Sequence, residues 1–160
     1  MKKIILFFSI VLILSACSTV DCPLNNRVLA RYAFKKADGT PDTLRDSLTV
    51  KAIRMENDTL LLNSGIDLSS FDIPVSYSRK EDILGFTYKS ADGEISHDTL
   101  WIEKENYPHL ESVECGPKFF HTLTNLKYTR NRIDRIEINK KTVEYESSEE
   151  IFHIYLFPVY

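Results

Sequence analysis

The side chains able to do chemistry in this 160-residue chain are few and scattered: cysteines at 17, 22 and 115, histidines at 97, 109, 121 and 153, and a thrice-repeated Asp-Thr-Leu triplet. Thiols can act as nucleophiles, pair as a disulfide or bind metal, and a histidine can serve as a base. Nothing local assembles them. The chain has no Gly-x-Ser-x-Gly elbow, no glycine-rich phosphate loop and no His-Glu-x-x-His pair. Each histidine therefore reads as an ordinary strand residue, and the chain is expected not to be an enzyme and to need no cofactor. The spacing His109, Cys115, His121 does not match the short paired spacings of structural zinc sites, so no metal is expected either.

Cys17 has the most informative surroundings. Lys2 and Lys3 precede an apolar run over residues 4–14, which is too short to span a bilayer as a permanent helix and so reads as an export signal. The run ends in Leu14-Ser15-Ala16-Cys17. That box resembles a bacterial lipobox, in which the cysteine receives a diacylglyceryl group and becomes the acylated first residue after cleavage. The resemblance implies two or three palmitate-like acyl chains on Cys17, each buried methylene contributing about 0.8 kcal/mol, and hence stable membrane attachment. Three segments follow: a signal peptide at 1–16, a lipidated N-terminus and short tether at 17–26, and one domain at 27–160.

Removing residues 1–16 takes away two lysines and leaves 18 basic residues against 23 acidic ones, a formal charge of −5. An exported, mildly acidic chain without a basic stripe is not expected to bind nucleic acid. Hydrophobic content of 43% and only five glycines argue for a folded body. With Cys17 acylated, Cys22 and Cys115 remain as an even pair in an oxidising compartment, where a disulfide is expected. Closing a loop of about 93 residues is worth roughly 4–5 kcal/mol in the chain-entropy account. Two free thiols, or a metal site shared with His109 and His121, are the alternatives.

The dominant hydrophobic period is two. Phe71, Ile73, Val75 and Tyr77 alternate with polar residues or proline, and Val28, Ala30, Tyr32 and Phe34 do the same, as do Leu48, Val50 and Ala52, then Leu84, Phe86 and Tyr88, then Ile136 and Ile138. The run 151–157 is apolar on both faces and predicts a central strand. Ala-Asp-Gly at 37–39 and 91–93, Asn63-Ser64-Gly65 and Cys115-Gly116-Pro117 predict turns. Eight to ten strands result, fitting an all-β, antiparallel, immunoglobulin-like sandwich behind a signal-peptide helix. Pro74 predicts a sheet edge or a bulge. The likeness of 34–44 to 88–100 reads as one turn used twice, or as a duplication.

The Asp-Thr-Leu triplets at 42–44, 58–60 and 98–100, with Asp46-Ser47-Leu48, resemble an O-glycosylation signal of exported Bacteroidetes proteins. That makes Thr43, Ser47, Thr59 and Thr99 candidate acceptors, although a turn aspartate opening a strand has the same pattern. Trp101 is a candidate ligand-contacting ring, and Tyr107, Tyr128, Tyr145 and Tyr160 accompany it, with core packing as the alternative. Glu144, Glu146, Glu149 and Glu150 read as a solvated loop.

Cys22-Pro23-Leu24-Asn25-Asn26, Leu61-Leu62-Asn63, Phe71 to Tyr77, Asn106-Tyr107-Pro108-His109 and Phe120-His121 together resemble small Bacteroidetes-type envelope lipoproteins of unknown function. The resemblance implies an envelope lipoprotein with a β-sandwich and transfers no catalytic residue. Only one acidic residue follows Cys17 closely, favouring the periplasmic side of the outer membrane over the cell surface. The expected role is a structural or interaction module docking on an outer-membrane β-barrel or another envelope protein. The alternative is a binding module for glycan or a small ligand.

Overall fold

The computed structural model describes residues 28–110, 117–144 and 149–158. The expected signal helix, the tether and all three cysteines lie outside them, as do Tyr145, Glu146 and Tyr160.

Ten strands form among the described residues: β1 (Leu29–Phe34), β2 (Ser47–Ala52), β3 (Thr59–Gly65), β4 (Ser70–Pro74), β5 (Glu81–Lys89), β6 (Ile95–His109), β7 (Lys118–Tyr128), β8 (Ile133–Ile138), β9 (Thr142–Val143) and β10 (Glu150–Leu156). They make a four-stranded sheet, β4-β1-β10-β8, and a six-stranded sheet, β3-β2-β5-β6-β7-β9. The described residues hold no helix, and the all-β two-sheet build agrees with the period-two pattern.

The alternating apolar positions meet between the sheets. Ala30, Tyr32 and Phe34 from β1, with Phe71 and Ile73 from β4, pack against Leu48, Val50, Leu84, Phe86, Tyr88, Leu100 and Ile102 of the larger sheet. Tyr32 anchors this core, stacking on Phe71 at 5.1 Å and Phe152 at 4.6 Å between ring centres, with Phe86 edge-on at 6.1 Å. Such ring pairs contribute about 0.5–1.5 kcal/mol beyond the area they bury. Burial raises the Tyr32 phenol far above its ordinary range, so it stays protonated.

Three local expectations resolve differently from their simplest form. Among the described residues the sheet pairings are antiparallel except β1 with β10, which run parallel. Hairpin connection forces antiparallel pairing only on consecutive strands, and these two come from opposite ends of the domain. The alternation over 71–77 is sheet only as far as Pro74, the last residue of the edge strand β4. Val75 is half-buried and Tyr77 is 64% exposed in the loop beyond. Asn63-Ser64-Gly65 is not a separating turn but the end of β3, where Ser64 takes φ 48° and the β2–β3 register is irregular. That irregularity blunts a sheet edge.

The repeated Ala-Asp-Gly is one turn used twice. Gly39 N–H bonds Lys36 O and Lys36 N–H bonds Thr40 O; Gly93 N–H bonds Ser90 O and Ser90 N–H bonds Glu94 O. Gly39 and Gly93 sit at φ 84° and 93°, the left-handed region that glycine occupies without strain. The likeness stops there: the second turn closes the β5–β6 hairpin, whereas the first follows β1 of the other sheet.

Candidate functional site

The expected modification sites scatter. Thr43 is exposed in the β1–β2 loop, on the rim of an open cleft of about 720 Å³, while Ser47, Thr59 and Thr99 are half-buried at the starts of β2 and β3 and within β6. The triplet at 98–100 has a structural use: Asp98 faces inward and is 1% exposed, whereas Thr99 lies on the opposite face of β6.

Trp101 also lies on that outer face, half-buried, directly across from Ile83 of β5 and Lys127 of β7. Ile53 reaches over the neighbouring Gly85, where an added Cβ would stand 3.3 Å from its Cδ1. Ile53, Ile83 and Trp101 make a low apolar strip on the sheet face, and Trp101 borders neither the cleft at Thr43 nor the cavity described next.

The four histidines all fall in strands, as expected, but one differs in kind. His97 Nδ1 meets Thr87 Oγ1 at 3.0 Å, His109 stacks on Phe120 at 4.6 Å, and His153 pairs with Glu150 at 2.8 Å. His121 is 2% exposed and belongs to a polar cluster that the hydrophobic pattern did not point to. The cluster forms where the β4–β5 loop (75–80) folds over the ends of β5, β6 and β7. Lys104 continues the inward row of Leu100 and Ile102, and its ammonium pairs with Asp82 Oδ2 at 3.0 Å with no side-chain exposure. Its Nζ also donates to Arg79 O at 2.9 Å, and Asp82 Oδ2 accepts from Ser76 N–H at 3.1 Å. Asn106 Nδ2 donates to Tyr77 O and Arg79 O, which turns its Oδ1 to His121 Nδ1 at 2.7 Å. Nδ1 must therefore carry the proton, and Nε2 the lone pair.

A cavity of about 450 Å³ opens beside this cluster, walled by Leu61, Val75, Leu84 and Phe119 and bordered by Asp82 and His121. Burial, with the Lys104 cation next to it, pushes His121 down to about 4. An unfolded chain protonates this histidine near pH 6.5, so above that pH it costs nothing. As pH falls from about 6.5 to 4 the unfolded state gains a proton that the fold refuses, and stability drops. Between pH 7.5 and 4.5 this loss should come to about 2–3 kcal/mol. Urea unfolding of the wild type and of His121→Phe at both pH values should show the acid loss shrinking by that amount in the variant. Equal losses would contradict the assignment.

Among the described residues no group of three or more His, Cys, Asp or Glu is placed to hold a metal ion. Lys104 and Asp82 were not singled out by their sequence context, and Asn106 entered only as part of the stretch that carries the family resemblance. The available signal was a lysine on the inward parity of β6, which only the strand's true extent reveals.

An N-terminal lipid-attachment segment ahead of a two-sheet β domain defines a membrane lipoprotein of the all-β class. Residues 1–18, which include Cys17, match the prokaryotic membrane lipoprotein lipid attachment site, and the match supports membrane anchoring through a lipid. The chain belongs to the family of unknown function DUF6452, which it matches over residues 47–156, from the first residue of β2 to the last of β10. No curated protein and no solved structure matches it.

Proposed function

We propose that this lipoprotein is a non-catalytic interaction module of the cell envelope. Its lipid is on Cys17, it faces the periplasm from the outer membrane, and it docks a partner protein, such as an outer-membrane β-barrel, on the outer face of its six-stranded sheet. The observation that carries this is the contrast between the two outer faces. The four-stranded sheet presents ion pairs, Arg31–Asp72, Arg135–Glu137 and Lys35–Glu150. The six-stranded sheet presents Trp101 with Ile83 and Ile53, ringed by Lys51, Lys127 and Glu103. A half-buried tryptophan in an apolar strip with a charged rim is how protein-docking centres are built. Glycan capture on Trp101 is less well supported, because the ring lies on a sheet face and borders neither the cleft at Thr43 nor the cavity at His121.

The Cys22–Cys115 disulfide stands as part of the proposal. Val28 and Phe119 border the same cavity, and they follow Cys22 and Cys115 by six and four residues, reaches of at most about 20 Å and 14 Å. O-glycosylation is proposed first for Thr43, the exposed acceptor.

The test is made on protein expressed in its own envelope. A photo-crosslinking residue at Lys127 should capture a recurrent partner, the same probe at Asp72 should not, and Trp101→Ala should abolish the capture. Capture that survives Trp101→Ala, or equal capture from both faces, rejects the docking face. The intact mass of the same preparation reads lipid, disulfide and glycan together, and a mass of lipid plus reduced polypeptide alone removes the last two.

A further inference from the structure

We infer that the cavity beside His121 is a binding site for a small neutral molecule with an apolar body and hydroxyl donors, of the phenol class. The walls supply the first requirement: Leu61, Val75, Leu84 and Phe119 give an apolar wall to an open cavity of about 450 Å³, within the range that holds small ligands. The polar atoms left over supply the second. His121 is almost wholly buried, its Nδ1 is taken by Asn106, and Nε2 has no hydrogen-bond partner among the described residues. Tyr88 Oη is an unpartnered atom sealed from solvent among those residues and His121 Nε2 is not of that kind, so Nε2 is open to the cavity its ring borders. Asp82 borders the same cavity, with Oδ2 committed to Lys104 and Ser76 N–H and with no partner among the described residues for Oδ1.

Both free atoms accept and neither donates. A ligand hydroxyl that reaches either acceptor makes a hydrogen bond without breaking one within the protein, in surroundings where such a bond contributes more than it does in open water. Charge sets the third requirement. The Asp82 carboxylate is already matched by the Lys104 ammonium behind it, the exposed Arg54 and Arg79 on the cavity's border disfavour a cationic ligand, and an anionic one that reached the two acceptors would meet their lone pairs.

The probe is resorcinol, set against 1,3-dimethoxybenzene, which keeps the ring and loses both donors. Each is titrated into the full lipidated protein in nanodiscs, and the ¹⁵N resonances of the His121 ring are followed. Resorcinol should move Nε2 much more than Nδ1, at a pH well above 5 where the ring is neutral. The ether should leave Nε2 in place, and His121→Phe should weaken resorcinol binding by about tenfold, the loss expected for one hydrogen bond to a buried acceptor. Equal binding of the two compounds, or a His121 resonance unmoved at saturating resorcinol, overturns the inference. The wild-type titration decides on its own should His121→Phe fail to fold.

Discussion

Asp98→Ala is expected to remove about 4–5 kcal/mol of folding stability, a large part of the 5–15 kcal/mol a domain of this size possesses. The carboxylate is 1% exposed and accepts four hydrogen bonds: Thr129 Oγ1 at 2.7 Å and Asn131 N–H at 2.8 Å on Oδ1, Arg132 N–H at 2.8 Å and Ile133 N–H at 2.9 Å on Oδ2. Three of these donors are consecutive backbone groups at the turn where the chain leaves β7 in one sheet and enters β8 in the other. Alanine leaves them without acceptors, each at a cost of about 1–3 kcal/mol. Asparagine should rescue little, because its amide replaces one acceptor oxygen by a donor facing donors. Urea denaturation gives the number, and a loss below about 1 kcal/mol for Asp98→Ala would show that the turn finds other partners.

Lys104→Met should cost about 3–5 kcal/mol, as expected when one member of a buried ion pair is removed and the other stays charged. Methionine fills much of the volume of the lysine stem, so the loss is electrostatic more than steric. The signature that separates the two is carried by the neighbours. Lys104→Met with Asp82→Leu should recover most of the stability, short of what Ser76 N–H loses with its acceptor. In Lys104→Met alone, His121 should titrate above about 4, because one of the two causes that hold it down has gone. A double variant no more stable than the single one would assign the loss to packing.

The legibility of this protein follows the range of each interaction. Leu84, Phe86 and Tyr88, or Leu48 and Val50, announce their strands because side-chain alternation is a property of a few consecutive residues, and all five are buried as their parity requires. The doubly apolar run at 151–157 likewise becomes β10, an interior strand between β1 and β8. Phe71 to Tyr77 shows the limit of the same signal, since the pattern persists through Tyr77 while the backbone leaves the sheet at Pro74. Asp98 and Lys104 show another: both stand on the inward parity of β6, where a reading weighted by apolar residues passes over them. Their partners lie at Thr129 to Ile133 and at Asp82, some 20 to 35 residues away along the chain.

The export and lipid-attachment segment, the all-β class, the strand parities and the twice-used Ala-Asp-Gly turn were determined by the sequence alone, because each rests on neighbours in the chain. Tertiary structure decided the rest: the parallel pairing of β1 with β10, the face to which Trp101 turns, and the meeting of Lys104 with Asp82 and of Asn106 with His121 beside one cavity. Whether a charged side chain is solvated or buried depends on the free energy of leaving water against what distant partners return, and those partners meet only when both sheets have formed.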